Sequence, residues 1–446
     1  MFTVSKDSAL SVEIIENAIE YNEEERRNYD KLERYYKGDH DILYRLKPPT
    51  SKNTRIVVNH ANYIVDTTIG YLLGNPVEYQ VNEGFDIEEI KQQYKKQTIS
   101  DLDHEIAKDI SVFGTQYELV YNLDNDIKSK DIDVRNCVCI YDDTVEHNKM
   151  FGIIYRKTEK EDVYEDVVVY DSSFKYQCSD ISGKITIGDK EPHQFGAVPI
   201  IEYRNNSDHM GDFEQVISLI DAYNILQSDR VNDKEQLVEA ILVGYNVNLE
   251  KPQMAELLEN RTMFGLPMDS KVEYLIKALD EGQVDILRQT LEKDIHKIAK
   301  VPNMSDENFV GNASGVAIRY KLLAFEQSVS NKERYFEKGL LERFELYNNY
   351  LVNINKMSLV PRYEVDVIFK RNLPQNDLET SQMINNLSGF VDDETLVGQI
   401  SFVDDAKEVV EKKKKESEEE MNKEVAQFAT FEPTSNLSTE ENVGNN

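Results

Sequence analysis

Apolar residues recur at three- and four-residue intervals near the start of the chain: Val12, Ile15, Ile19, Tyr29, Leu32 and Tyr36, with Gly38 where a helix would stop. The spacing predicts an amphipathic helix within residues 8–37. A second helix is announced by Asn59 as cap and by the run from Tyr63 to Leu73, closed by Gly74 and Pro76. A third helical pattern extends from Asp86 to Phe113. The period then shifts towards two over Tyr117 to Tyr121, Ile132 to Tyr141, Phe151 to Arg156, Val163 to Tyr170 and Ile185 to Ile187. These pieces predict a twisted antiparallel sheet, closed by Val198 to Tyr203. Residues 1–210 therefore read as an α+β unit.

Neither glycine nor proline falls between Gly211 and Gly244, so one helix is expected over residues 211–243, roughly 50 Å long at about 1.5 Å per residue. Its middle, Gln227 to Glu235, is polar on nearly every face, and such a helix needs partners. Identical neighbours packed on both sides would supply them. Residues 244–280 read as a small α/β module, with strands at Tyr245 to Val247 and Val272 to Ile276 and a short helix over Pro252 to Asn260. A helix returns over 282–300, with Asp285 near its start and Lys297 and Lys300 at its end, complementing the dipole.

Pro302 closes that helix, and Asn303 to Gly315 is a loop of turn formers. A loop this long between two helices points to function. From Val316, the positions Tyr320, Leu323, Phe336, Leu340, Phe344, Tyr347, Leu351 and Ile354 predict a helix of about 40 residues, in which Gly339 allows a bend. The stripe Phe336, Leu340, Phe344 and Tyr347 reads as core. Pro361 to Phe369 alternates as a strand seeking a place in the N-terminal sheet. Residues 376–428 are helical again, with the charges from Lys412 to Glu420 on a solvated face, and Glu432 to Asn446 has the composition of a disordered tail.

Charge narrows the possibilities. Lys and Arg number 51 against 83 Asp and Glu, a net charge of −32 that excludes wrapping nucleic acid with a basic surface and disfavours an anionic membrane. Three cysteines, Cys137, Cys139 and Cys178, are too few for a disulfide framework and fit a reducing compartment. Residues 1–25 lack the pattern of a secretory signal, and the apolar stretches fall short of the 18 or so residues needed to cross a bilayer.

Catalytic chemistry finds little footing. The Gly183-Lys184 pair lacks the leading glycine and trailing hydroxyl of a phosphate loop, and no Gly-x-Ser-x-Gly elbow occurs. His104-Glu105 has no second histidine four residues on, so neither a metal nor a cofactor is expected. Cys137 and Cys139 read as small buried hydrophobes sharing one face of a strand. Asp142-Asp143 could hold magnesium in a nuclease, although a strand-ending turn explains the pair equally simply. A helical scaffold protein is the other rival.

Two blocks carry a resemblance. Asn53 to Asp66, continuing through Gly70-Tyr71-Leu72-Leu73-Gly74-Asn75-Pro76-Val77, is one; Ser305 to Ala317, then Tyr320 to Leu323 and Lys332 to Leu340, is the other. Together they resemble the portal proteins, or head-to-tail connectors, of tailed double-stranded DNA bacteriophages, and the likeness covers nearly the whole chain. The resemblance implies a ring of twelve subunits at one capsid vertex, with 1–210 and 316–375 as wing, 211–243 and 281–300 as stem, 244–280 as clip and 376–430 as crown, leaving 431–446 as a disordered tail. Residues 301–315 match the tunnel loop, whose Asn303, Ser305, Asp306, Asn308, Phe309, Val310, Gly311 and Asn312 would line the DNA channel. Val310 stands where family members often carry a second glycine, which implies a stiffer loop and a more apolar throat. Glu256, Glu259 and Arg261 of the clip would meet partners.

The resemblance further implies double-stranded DNA in the channel, a separate terminase as motor, a head-tail adaptor, and capsid and scaffold proteins as partners, without a membrane. The protein would be assembled in the host cytoplasm and end in the virion, without enzymatic activity of its own. An acidic channel suits this role, because carboxylate-rich walls avoid the counterion-release affinity that would trap DNA.

Overall fold

Ser11 accepts the amide of Ile14, and helix α1 then runs Val12–Tyr36 until Gly38, at φ +85°, turns the chain away. The structure, a computed structural model, describes residues 1–49, 51–123, 126–157, 164–180, 184–238, 241–246, 252, 269, 271–275, 281–304, 315–371, 377–400, 403, 406–407 and 409–417. It divides into two units, Met1–Asn372 and Leu373–Asn446, and its mixture of helix and sheet matches the α+β expectation.

The strands of the first unit form two larger sheets where one antiparallel sheet was expected. Strands β1 (Phe2–Val4), β5 (Cys137–Asp142), β6 (Lys149–Lys157), β7 (Tyr164–Tyr170), β8 (Phe174–Asp180) and β9 (Ile185–Pro192) make a six-stranded sheet in that order. β1 joins β5 in parallel. β10 (Ile200–Arg204), β3 (Thr115–Leu123) and β4 (Asp126–Ile132) form the second sheet. The run Ile132 to Tyr141, expected as one strand, is broken by a 3-10 turn at Val134–Asn136, whose Arg135 amide is held by the Asp133 carboxylate at 2.9 Å. That turn passes the chain from one sheet to the other. Helix α1 covers the six-stranded sheet, packing Ile15, Ala18 and Ile19 on Val138, Ile140, Ile153 and Val167.

Helix α2 (His60–Leu72) begins as expected, with the Asn59 side chain accepting the Asn62 amide. The expected single helix over Asp86 to Phe113 is two helices, α3 (Glu88–Lys96) and α4 (Ile99–Phe113). Thr98 between them is left-handed at φ +49°. The break follows from a tertiary contact, since the Gln97 amide group donates to the Ile127 carbonyl at 2.9 Å and accepts the Ser129 amide at 3.0 Å, tying this corner to β4.

Chain order next gives α5 (Ile217–Val238), α6 (Glu281–Ala299) and α7 (Gly315–Asn353). The stripe Phe336, Leu340, Phe344 and Tyr347 on α7 is fully buried, as read. Gly339 serves a different end from bending: the Tyr203 ring lies where a Cβ would stand, so only glycine admits this approach of α7 to β10. One turn further, Arg343 is wholly buried. It donates to Glu118 of β3 at 2.8 to 3.0 Å and to Asp103 of α4 at 2.5 Å, while the Tyr203 hydroxyl donates to Glu118 at 2.7 Å. Strand β13 (Val365–Ile368) pairs with β2 (Glu78–Val81) in a two-stranded sheet of its own and joins neither large sheet.

The expected helix over 211–243 is also shorter. A 3-10 turn at Glu214–Val216 precedes α5, and the apolar run after it enters strand β11 (Ile241–Tyr245), which pairs antiparallel with β12 (Lys271–Leu275). The polar middle of α5 has partners inside the chain. Asn224, Ser228 and Asn232, one turn apart, are buried and accept the backbone amides of Val58, Ile56 and Thr54 at 2.8, 2.9 and 2.8 Å. Polarity along this helix therefore does not by itself require neighbouring subunits. The short helix expected over Pro252 to Asn260 lies outside the described residues apart from Pro252 itself.

In the second unit, α8 (Asp377–Leu387) and α9 (Asp393–Val397) replace the continuous helix expected over 376–428. Gly389 at φ +95° stops the first, and Asp392 caps the second by accepting the Thr395 amide at 2.9 Å. Residues 409–417 are helical, and the tail from 418 lies outside the described residues.

Two stability outcomes follow from these contacts. Arg343→Leu leaves two buried carboxylates without their cation and is expected to cost about 3–5 kcal/mol, read as a lowered urea midpoint. Ser228→Ala removes the acceptor of the Ile56 amide, at an expected cost of about 1–3 kcal/mol, and hydrogen exchange at that amide should accelerate while Asp103 to Glu118 stays protected.

Candidate functional site

The expected channel segment starts from a tightly held root. Helix α6 ends at Ala299, Lys300 turns the chain at φ +59°, and Val301 is buried with its carbonyl 3.0 Å from His296 Nδ1. Tyr63 of α2 then clasps the chain from both sides of Asn303. Its hydroxyl donates to the Pro302 carbonyl at 3.1 Å and accepts the Met304 amide at 2.9 Å. Asn303 donates to Glu292 of α6 at 2.9 Å, so its amide group serves the root. Ser305, Asp306, Asn308, Phe309, Val310, Gly311 and Asn312 lie outside the described residues, and α7 resumes at Gly315.

Beneath the root, His296 sits edge-on to Tyr63 at 5.5 Å and to His60 at 5.6 Å, and His60 is edge-on to Tyr223 of α5 at 4.9 Å. Burial first, with His296 and His40 nearby, pulls the His60 imidazole down to about 4, so it packs as a neutral ring between three helices. Asn224 reaches the same junction. It donates to His40 Nδ1 at 2.9 Å, and the other His40 nitrogen bonds the Tyr35 carbonyl at 2.9 Å. Tyr63, His60 and His296 were not singled out from the sequence as a clamp. The first two fall in the block that carries the resemblance, but their union with His296 is tertiary.

The clip candidates Glu256, Glu259 and Arg261 lie outside the described residues. The β11–β12 ribbon at their base is placed, with Ile241 opposite Leu275 and Tyr245 opposite Lys271. At the foot of that ribbon, Lys234 of α5 meets Glu281 of α6 at 3.0 Å, and Arg230 stands 3.7 and 3.9 Å from Glu281 and Asp285.

The nuclease rival loses its carboxylates to a turn. Asp142 accepts the Thr144 hydroxyl at 2.6 Å, the Thr144 amide at 3.2 Å and the Asn148 amide at 3.1 Å, and Asp143 accepts the Lys6 amide at 3.1 Å. Among the described residues no group of three His, Cys, Asp or Glu side chains is placed to hold a metal ion. Cys137, Cys139 and Cys178 are free and buried, and burial drives the Cys139 thiol up to about 12. No helix among the described residues is long and apolar enough to cross a membrane.

Comparison with known proteins addresses the chain as a whole. The family described as "Phage portal protein, SPP1 Gp6-like" matches residues 15–423. The portal protein of Bacillus phage SPP1 is 24% identical over 434 residues, covering 87% of this chain and 82% of its own length. The portal protein of Clostridium phage phiCD119 is 23% identical over 225 residues, 48% of each chain. With the family pattern running from α1 through the second unit, this chain belongs to the phage portal protein family.

Proposed function

We propose that twelve copies of this chain close into a ring at one vertex of the virion capsid, and that the double-stranded genome passes through its centre during packaging and ejection. The observation that carries the reading is a helix pair, α5 and α6, that leads out to a two-stranded ribbon and back to a root clasped by Tyr63. In this ring 1–210 and 316–375 form the wing, 211–243 and 281–300 the stem, 244–280 the clip and 376–430 the crown, with 431–446 as a disordered tail. The ring assembles in the host cytoplasm alongside capsid and scaffold proteins.

Segment 301–315 lines the throat. Asn303 holds its base, the amides of Asn308 and Asn312 offer neutral hydrogen bonds to passing phosphates, and Phe309 and Val310 narrow the opening. Asp306, beside Glu307, repels phosphate and keeps adhesion weak, in line with a charge of −32 per copy. Glu256, Glu259 and Arg261 stand at the far end of the stem, where the terminase large subunit and then the head-tail adaptor dock. The chain is structural, and ATP hydrolysis belongs to the terminase.

Native mass measurement on the purified chain is expected to give closed rings, seen as annuli in negative stain; a monomer that persists at high concentration and moderate salt refutes the reading. Replacing Asn308 to Asn312 by a Gly-Ser linker should leave rings intact while capsids package poorly or leak their genome. Full genome retention by such capsids would remove the segment from the DNA path.

A further inference from the structure

Helix α5 lies between two different neighbours. On one side runs the extended segment 43–58, whose Arg45 and Lys47 reach Asp229 at 3.0 and 2.7 Å and whose amides bond Asn224, Ser228 and Asn232. Arg230 and Lys234 instead face α6. At about 3.6 residues per turn the two sets of α5 positions are roughly 140° apart, so the segment and α6 form opposite outer faces of one layer.

Both outer faces carry uncovered apolar side chains. On the segment, Tyr44 is 62% and Leu46 88% exposed; on α6, Ile286 is 67% and Leu287 49% exposed. The amides of Arg55 and Val57, which alternate with the three bonded ones, have no hydrogen-bond partner among the described residues. Both patches also sit at one level. Leu46 lies between Arg45 and Lys47, which both reach Asp229, while the neighbouring Arg230 meets Glu281 and Asp285 just before Ile286.

From Ile42 to Val65 the chain has no Asp or Glu but carries Arg45, Lys47, Lys52 and Arg55, in a molecule of net charge −32. A cationic strap of this kind is matched to the acidic surface of another copy. A closed ring joins two unlike faces of each subunit, and a rotation without rise brings them together at equal height. We propose that the 43–58 strap of one copy docks on the outer face of α6 of the next, with Tyr44 and Leu46 against Ile286 and Leu287. This rests on the ring reading above and assigns that ring a specific subunit contact.

The test uses the full chain carrying Leu46→Cys together with Leu287→Cys, treated with a short bismaleimide; the native cysteines are buried and give little background. The expected result is a ladder of covalent oligomers ending at the closed ring, with neither single variant crosslinking. Rings in negative stain without a ladder would overturn this contact and leave the ring reading standing, whereas absence of rings from the unaltered chain would defeat the ring reading itself. Dimers from Leu46→Cys alone would also overturn it, because they require a two-fold contact. As a second measurement, Leu46→Glu and Leu287→Glu should each abolish rings while the monomer melts at the parent temperature. Rings that survive both changes, or rings that survive Leu46→Glu with DNA binding lost, would assign the strap to another partner.

Discussion

Burying one guanidinium beside two carboxylates is tolerable only when every polar atom of the three is answered. Arg343 meets that demand by drawing on α4 through Asp103, on β3 through Glu118 and, by way of the Tyr203 hydroxyl, on β10. Its partners lie 225 and 240 residues earlier in the chain. None of these elements can shift without exposing a charge to apolar surroundings. Burial still raises the Asp103 carboxyl above its usual range even with the guanidinium beside it. The long helix α7 is thereby fixed in rotation, which places Gly339 under the Tyr203 ring. A second buried cation repeats the device one side over, where Lys332 of α7 holds Asp212 at 2.7 Å and the Ser111 hydroxyl.

The second organising contact is a helix that presents side-chain acceptors to an extended chain as a strand edge presents carbonyls. Asn224, Ser228 and Asn232 match alternate amides of segment 54–58 because a helical turn of about 5.4 Å approximates the spacing of every second residue in an extended backbone. The same Asn224 reaches the His40 ring, and through Tyr223 the helix also touches the histidine junction under Tyr63. The strap, the stem helix and the root of the channel segment thus share one network of polar contacts. Moving one of them must strain the others.

Much of the helical framework was legible. Asn59 and Gly38 stand at the ends where capping chemistry put them, and the stripe from Phe336 to Tyr347 is core. Failures fall where a distant contact outweighs local pattern. Nothing near Gln97 signals that its side chain will bind β4 and split a helix, and the turn at Val134 interrupts a run that alternates convincingly. The polar stretch of α5 was visible as an anomaly, but its partner lies some 170 residues away in sequence. For the candidate site, the position of the segment between two helices could be read from Pro302 and the turn formers. Its clasp by Tyr63 could not, because the phenol and the backbone it holds are 239 residues apart.

The short parallel strand at Phe2–Val4 has a consequence for assembly. A sheet edge is a template on which identical chains can add without limit, and a ring built from many copies concentrates such edges in a small volume. Here the β5 edge is occupied by three residues of the same chain, too few to offer a long new edge of their own. At the opposite margin, β9 displays Asp189, Lys190 and Glu191 to solvent. Both borders of the six-stranded sheet are therefore poor templates, and copies crowded together are steered away from open-ended β-polymerisation.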